Sequence, residues 1–441
     1  MKLLDNLIQN KKFVFLFCFI LIFTLIFIFI NKINLSNLFG TFEFNEYLIQ
    51  FNIYAKNGGA VSDLGTHWRY ILSLRQDFSN LLSRSMGFDT NLMNFPLHNI
   101  IVSQLYFLAD NIRLYLISFF CFSLIVPYLF YLCLKEKFPK TNNSLIIIFA
   151  SLIYIFPIFQ FSAIWGSSHI TSLVFFLLGI LFHLKLRNSN YKNINNLTLS
   201  IFFLSLAAYT RQYYALFFFY IFFEFFLKLK LKLFFKTCLF TFCLAVPGIL
   251  FLLKNPLLFT GYQKEITNFG SSILISSSIC FFYLVPFIIQ YHLNNFKNFN
   301  IKIYKVFKIK EFTISLIIFL ICLSFFYYQA NIGGGLIYKL SVKILNQKII
   351  FFLSSFLGIY YLLIFTEKKI YNYLLTIILL TTFSTGYFIF QKYFEPMFLM
   401  IFMIYFNKVK IENFLNNNYI IWIIYFLFYY SSINYVYFFG L

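Results

Sequence analysis

The chain has 441 residues, 61% of them hydrophobic and only 11% charged, with 69 Phe and a formal net charge of +21. No soluble core hides that much apolar surface, so composition excludes a water-soluble globular domain; runs of about 18–20 apolar residues with few charges read as bilayer spans. The positive charge does not mark a nucleic-acid binder, because Lys and Arg fall in short clusters between the apolar blocks.

In chain order, the first apolar block, Phe13 to Ile30, follows Lys11 and Lys12 and runs directly into Asn31 and Lys32. It is long for a signal-peptide core and lacks a small-residue cleavage site, so it reads as a retained anchor. A polar segment, 31–112, comes next and holds Asp63, Asp77, Asp89 and Asp110, leaving only Asp5 elsewhere. Within it, Leu64, Tyr70, Ile71, Leu74, Phe78, Leu81 and Leu82 recur near helical spacing. That predicts an amphipathic helix over Leu64–Leu82 resting in the membrane interface, part of a partly helical cap. Further spans are predicted at 113–134, 144–163, 169–184, 197–210, 212–227, 233–253, 272–291, 312–328, 349–365, 371–390, 396–406 and 419–438. With the first block this makes about thirteen. The stretch 197–227 reads equally as one long tilted helix or two short ones, and Met397 to Phe406 is short for a full crossing.

This register puts the lysine clusters around Lys135–Lys140, Lys185–Lys192, Lys228–Lys236, Lys297–Lys310, Lys368–Lys369 and Lys408–Lys410 on one side, together with the amino terminus. By the positive-inside rule that side is cytoplasmic, and segment 31–112 faces the lumen or periplasm. The same lysines meet anionic headgroups. The seven Cys lie within or beside apolar blocks and none is in the long loop, so neither a disulfide framework nor a thiolate metal site is expected. No repeat of 20–50 residues stands out. The whole of 1–441 is expected to be one transmembrane domain, with 31–112 as its extracytoplasmic loop.

Polar residues on the outer side gather at a few places. Asp63-Leu64-Gly65-Thr66-His67 sets a carboxylate one helical turn before an imidazole, with Trp68 and Arg69 following. Asn94-Phe95-Pro96-Leu97-His98 adds a second imidazole, and Gln160 to His169 a third. Arg211-Gln212 and Gln391-Lys392-Tyr393-Phe394-Glu395-Pro396 lie at other outer helix ends. Polar groups at bundle depth are costly unless they face a cavity or a partner, so their convergence favours a site. Each also has a plain structural reading: Asp63 as a helix cap, His67 as an interfacial histidine, Arg211 and Lys392 as snorkelling cations.

The order of these landmarks resembles the GT-C class of polytopic glycosyltransferases, and within it the dolichyl-phosphate-glucose-dependent α-1,2-glucosyltransferases. The Asp-Glu-x-x-His motif of that family is similar to Asp63-Leu64-Gly65-Thr66-His67, where Leu64 stands in place of the Glu. Its Thr/Pro/Gly loop resembles Asn94-Phe95-Pro96-Leu97, and its Phe-Pro segment resembles Phe156-Pro157 to Ser168-His169 without the acid. Its Arg-Gln pair is similar to Arg211-Gln212, followed here by Tyr213-Tyr214. Its basic-aromatic-Pro ending resembles Lys392 to Pro396.

The resemblance implies an all-α, GT-C-like membrane enzyme that moves a hexose from a polyprenyl- or dolichyl-phosphate sugar to a glycan or lipid-linked oligosaccharide hydroxyl, with inversion, on the non-cytoplasmic face. In that chemistry a carboxylate takes the acceptor proton, which is the role expected of Asp63. A forked guanidinium suits the departing phosphate, a role for Arg211, with Lys392 as a second cation. His67 and Gln212 hydrogen-bond sugar or phosphate, and Arg69, His98 and His169 are further substrate contacts. No multi-carboxylate cage is visible, so neither a metal nor a cofactor is expected beyond the lipid-linked donor itself. The expected setting is the bacterial inner membrane or the endoplasmic reticulum membrane. A transporter or lipid-linked glycan flippase, and a structural membrane subunit, are the alternatives.

Overall fold

The computed structural model describes residues 11–33, 58–81, 95–254, 269–297, 308–328, 333–382, 389–416 and 419–439, and all the regular structure among them is helical. Five helices are long and apolar enough to cross a membrane: Lys11–Ile30, Ile112–Lys137, Ser168–Asn188, Leu231–Lys254 and Phe269–Asn294. The pair Asn143–Ile155 and Pro157–Ile164, bent by 64°, makes a sixth if counted as one span. That is the make-up of a membrane protein. Ile194–Thr210 and Ile349–Phe365, each of 17 residues, fall short of a straight crossing, since at 1.5 Å per residue they reach only about 25 Å of a roughly 30 Å hydrocarbon core.

The chain divides into two compact units. The first comprises Met1–Glu136, Ile147–Phe218 and Lys228–Thr260. Its helices are α1 (Lys11–Ile33), α2 (Gly58–Gln76), α3 (Leu97–Gln104), α4 (Tyr106–Ala109), α5 (Ile112–Ser123) and α6 (Ile125–Lys137), then α7 (Asn143–Ser151), α8 (Pro157–Ile164), α9 (Ser168–Asn188), α10 (Ile194–Thr210), α11 (Tyr214–Lys228) and α12 (Leu231–Lys254); α6, α7 and α11 run partly into the second unit. The amphipathic helix expected over Leu64–Leu82 forms earlier, as α2. Its stripe Leu64, Trp68, Ile71 and Leu74 is buried against protein, with α3 as its main neighbour, while Phe78 is exposed in a short 3-10 turn after it. The i, i+4, i+7 spacing that makes the stripe is therefore satisfied by a core and not by lipid headgroups.

Local chemistry sets the helix ends. Asn111 starts α5 by accepting from the backbone N–H groups of Arg113 (3.0 Å) and Leu114 (3.2 Å). The span expected over 144–163 breaks instead at Phe156-Pro157, where Phe156 is extended and Pro157 occupies the first turn of α8. The proline has no N–H to offer the preceding turn and pushes its neighbour out of the helical region. The stretch 197–227 is two helices, α10 and α11, parted at Arg211-Gln212-Tyr213. α9 and α10 form the tightest pair of this unit: Leu204 fills the space over Gly179, and Ser200 Oγ donates to the Gly179 carbonyl at 3.0 Å. In α12, Pro247 removes one bond, and next to it the Tyr209 hydroxyl enters the ladder, accepting from Gly248 N at 2.8 Å and donating to the Leu244 carbonyl.

The second unit comprises Lys137–Ile146, Phe219–Leu227 and Gly261–Leu441. Its helices are α13 (Phe269–Lys297), α14 (Ile309–Ser324), α15 (Gly335–Lys339), α16 (Ile349–Phe365), α17 (Ile370–Thr381), α18 (Met397–Tyr405), α19 (Lys408–Asn416) and α20 (Tyr419–Phe439). α13 is the hub. It approaches α16 closely because Gly358 lies directly on the Ser277 carbonyl, and Ser355 Oγ donates to the Leu274 carbonyl at 2.8 Å. Small residues at a helix crossing let backbones meet, the usual device where lipid removes the hydrophobic drive to associate.

Candidate functional site

In the first unit, polar side chains from four helices and the Arg211 turn gather around His98, which is only 1% exposed. His98 Nε2 lies 3.0 Å from the Tyr115 hydroxyl, and that hydroxyl donates to the Gly166 carbonyl. A hydroxyl that donates onward accepts from the imidazole, so His98 carries its proton on Nε2. Nδ1 is then the acceptor, and the Thr171 hydroxyl, 2.9 Å away, donates to it. Burial first, then repulsion between the protonated forms of His98 and His67 and from the Arg211 guanidinium, holds the His98 pKa well below its usual 6.5. His98 is thus a neutral, fully engaged group that orders the cluster.

Gly166 is required by this arrangement. Its φ is +57°, and a Cβ there would stand 2.6 Å from Tyr115 Cε1. Trp68 packs on the same tyrosine, with ring centroids 5.5 Å apart.

His67 comes from α2, half-buried, with Nδ1 donating to Asn99 Oδ1 at 3.0 Å and its ring 5.8 Å from that of His98. This fixes the neutral tautomer of His67 with its basic lone pair on Nε2. The helix is continuous through position 63, so Asp63 stands one turn before His67 on the same face; its side chain lies outside the described residues. Arg69 is exposed and, two positions on, belongs to a different face of α2. The other described acids of the 31–112 segment have partners: Asp77 accepts from Ser79 N and Oγ at 2.9 and 2.6 Å, and Asp110 pairs with Arg75. Asp89 lies outside the described residues.

Arg211 reaches the same neighbourhood through the helix hairpin. α9 starts at Ser168, turns through Asn190 and Tyr191, both at positive φ, and α10 returns so that its C-cap, Arg211, meets the start of α9. Arg211 Nη2 donates to Ser168 Oγ at 3.2 Å. The guanidinium is buried, 8% exposed, and its Nε–H finds no acceptor among the described residues; nor does a carboxylate pair with it there. Leaving a charged donor buried and unmade costs about 1–3 kcal/mol or more. The neighbouring charge is the positive end of the 21-residue α9. Both sources of potential favour an anion. His169, one residue into α9, is buried with Nδ1 3.1 Å from the Tyr213 hydroxyl, and Gln212 is half-buried beside Arg211.

Lys392 belongs to the second unit, where its Nζ lies over the Phe390 and Tyr393 rings at 5.2 and 5.9 Å. The buried charge of that motif is its neighbour Glu395. This carboxylate accepts from the Tyr283 and Tyr429 hydroxyls at 2.6 and 2.7 Å, and Gln391 Nε2 donates to both tyrosines at 3.1 and 3.3 Å. Sequence reasoning singled out Lys392 and passed over Glu395; an acid immediately before a proline, among apolar residues, was the available signal. Tyr115, Thr171, Asn99 and Ser168 were missed as well, because one tyrosine among 33 carries no mark of its partners.

The chain matches no protein-family model, no curated protein and no solved structure.

Proposed function

We propose that the protein is an inverting membrane hexosyltransferase that takes its sugar from a polyprenyl-phosphate donor. The observation that carries this reading is Arg211: a buried guanidinium with an unmade N–H, set at a helix N-terminus, is built to hold an oxyanion. In the proposed reaction the acceptor hydroxyl oxygen attacks the anomeric carbon and its proton passes to the Asp63 carboxylate. The carbon–oxygen bond to phosphate breaks as the new one forms, and the polyprenyl phosphate leaves with its charge against Arg211. His67, oriented by Asn99, hydrogen-bonds the sugar from the same helix face as Asp63, and Gln212 and His169 are further contacts of donor or acceptor. On this reading the shorter apolar helices complete a GT-C-like bundle of about thirteen crossings, with the amino terminus cytoplasmic and the site on the opposite face of a bacterial inner membrane or the endoplasmic reticulum membrane.

The test is transfer of labelled glucose from a polyprenyl-phosphate donor to lipid-linked oligosaccharide by the protein in nanodiscs. Arg211→Ala is expected to lower the rate by about 10²–10³ and Asp63→Asn by about 10²–10⁴, with both variants eluting as folded protein. Wild-type transfer by purified Asp63→Asn would remove the proposed base.

A second reading, a proton-coupled transporter or glycan flippase, draws on Glu395, since an ionisable group inside a helix bundle marks ion or proton pathways. It predicts that Glu395→Gln abolishes a pH-driven flux in proteoliposomes while Asp63→Asn leaves that flux intact.

A further inference from the structure

In the second unit, away from the Glu395 cluster, lies a cavity of about 500 Å³, within the range of roughly 300–1,000 Å³ that holds small ligands. Lys308, Lys368, Lys369, Lys408 and Lys410 line it, against only Glu311 and Glu367. One carboxylate is already used: Glu367 pairs with Lys369 at 3.2 Å and accepts from Asn372 Nδ2 at 3.3 Å. Lys308 and Lys368 act on Lys410 as like charges, offset in part by Glu311. Lys410 is half-buried, donates to the Ile364 carbonyl and sits over the Tyr291 and Phe365 rings at 5.6 and 5.7 Å. Burial first, then repulsion by Lys308, pulls its pKa down to about 7.

Three helices also begin at this cavity. Lys308 caps α14 and Lys369 caps α17, neither with a side-chain hydrogen bond to the first turn, while Asn407 caps α19 through its Oδ1 to Lys410 N at 3.1 Å. The backbone N–H groups left at the first two starts, and three helix dipoles, add to the lysine charge around one open pocket. Like charges gathered around one pocket cost stability unless a counter-charge enters. Lysine ammoniums are compact point charges that suit phosphate oxygens.

We propose that this cavity is a binding site for a phosphate group, carried either by a membrane lipid headgroup or by a free phosphate. The site is independent of the transferase reading, because it uses none of the residues assigned there. The experiment uses the full chain purified in detergent, exchanged into phosphatidylcholine nanodiscs with or without phosphatidic acid, and compares it with the triple variant Lys308→Gln/Lys368→Gln/Lys410→Gln. Native mass spectrometry counts retained phosphatidic acid, and a parallel titration with inorganic pyrophosphate follows thermal stability. Wild type is expected to bind the phosphate ligand about tenfold or more tightly than the triple variant. The control Lys230→Gln/Lys232→Gln, at exposed lysines of the first unit that do not line the cavity, is expected to bind like wild type. Retention of phosphatidic acid alone identifies a lipid headgroup; stabilisation by pyrophosphate in pure phosphatidylcholine identifies a free anion. Equal binding by wild type and triple variant in both arms overturns the proposal, as does equal loss in the control. Should the triple variant fail to fold, acetylation of the wild-type lysines decides: Lys308, Lys368 and Lys410 are expected to be protected by the phosphate ligand, and unchanged acetylation overturns the site.

Discussion

Gly166→Ala tests the geometry of the His98 cluster most directly. Two costs follow from the structure. Holding an alanine at φ +57° costs about 1–2 kcal/mol, because its Cβ then crowds the following carbonyl. The new methyl also lands 2.6 Å from Tyr115 Cε1 and 2.9 Å from its hydroxyl oxygen. The ring has no room to retreat: it is fully buried, with Phe119 centred 4.7 Å away and Trp68 5.5 Å away. Displacing it breaks the hydroxyl's bonds to the Gly166 carbonyl and to His98 Nε2, at about 1 kcal/mol each. The expected loss is about 3–4 kcal/mol from these contributions. Trp68 and Trp165 are buried at the site and Trp422 lies in the other unit, so denaturant titration of tryptophan fluorescence in a Trp422→Phe background reads the first unit by itself. A Gly166→Ala protein within about 1 kcal/mol of its parent, less than the backbone term plus one hydrogen bond, would refute the packing described here.

The His98 imidazole is held well below its usual 6.5 when folded, so below that pH the unfolded chain binds more protons than the folded one. Stability of the first unit should therefore fall as pH drops from 7 towards 5, with a slope approaching about 1.4 kcal/mol per pH unit, and His98→Asn should flatten that slope in the same fluorescence titration. In the second unit, Tyr283→Phe and Tyr429→Phe each leave Glu395 with one fewer donor; each should cost about 1.5–3 kcal/mol, read by Trp422 fluorescence on thermal unfolding, and equality with wild type would mean the carboxylate is not held as described. Gly358→Ala would drive a methyl into the Ser277 carbonyl, a backbone atom that cannot rotate aside, so folded protein recovered by size-exclusion chromatography should collapse.

Hydropathy located the apolar helices well where their sequences were simple. The expected 349–365 coincides with α16, and the expected 233–253 falls inside α12. At 144–163 it found the apolar stretch but not its bend, because it counts apolar side chains and is blind to the missing N–H of Pro157, where the chain turns by 64°. The Asp63–His67 spacing was legible because a helix repeats every 3.6 residues, and α2 does run through both. The Arg211–Ser168 contact was partly legible, since two antiparallel helices of 21 and 17 residues joined by a short turn must bring their outer ends together. The partners of His98 were not. Tyr115 and Thr171 lie 17 and 73 residues away in sequence, and no periodicity links an imidazole to a hydroxyl on another helix.

Composition alone therefore pointed to a chain of helices apolar enough to cross a membrane, because backbone groups in hydrocarbon must bond within their own segment. Local chemistry in the sequence also marked where charge was unusual: Asp63, Arg211, Lys392. Only the tertiary structure decided what surrounds Arg211, Lys392 and Glu395. It buried Arg211 with an open N–H at a helix start, set Glu395 between two tyrosines while leaving Lys392 over aromatic rings, and gathered five lysines from separate segments around one cavity. Burial and pairing are properties of neighbours distant in sequence, and packing alone brings those neighbours together.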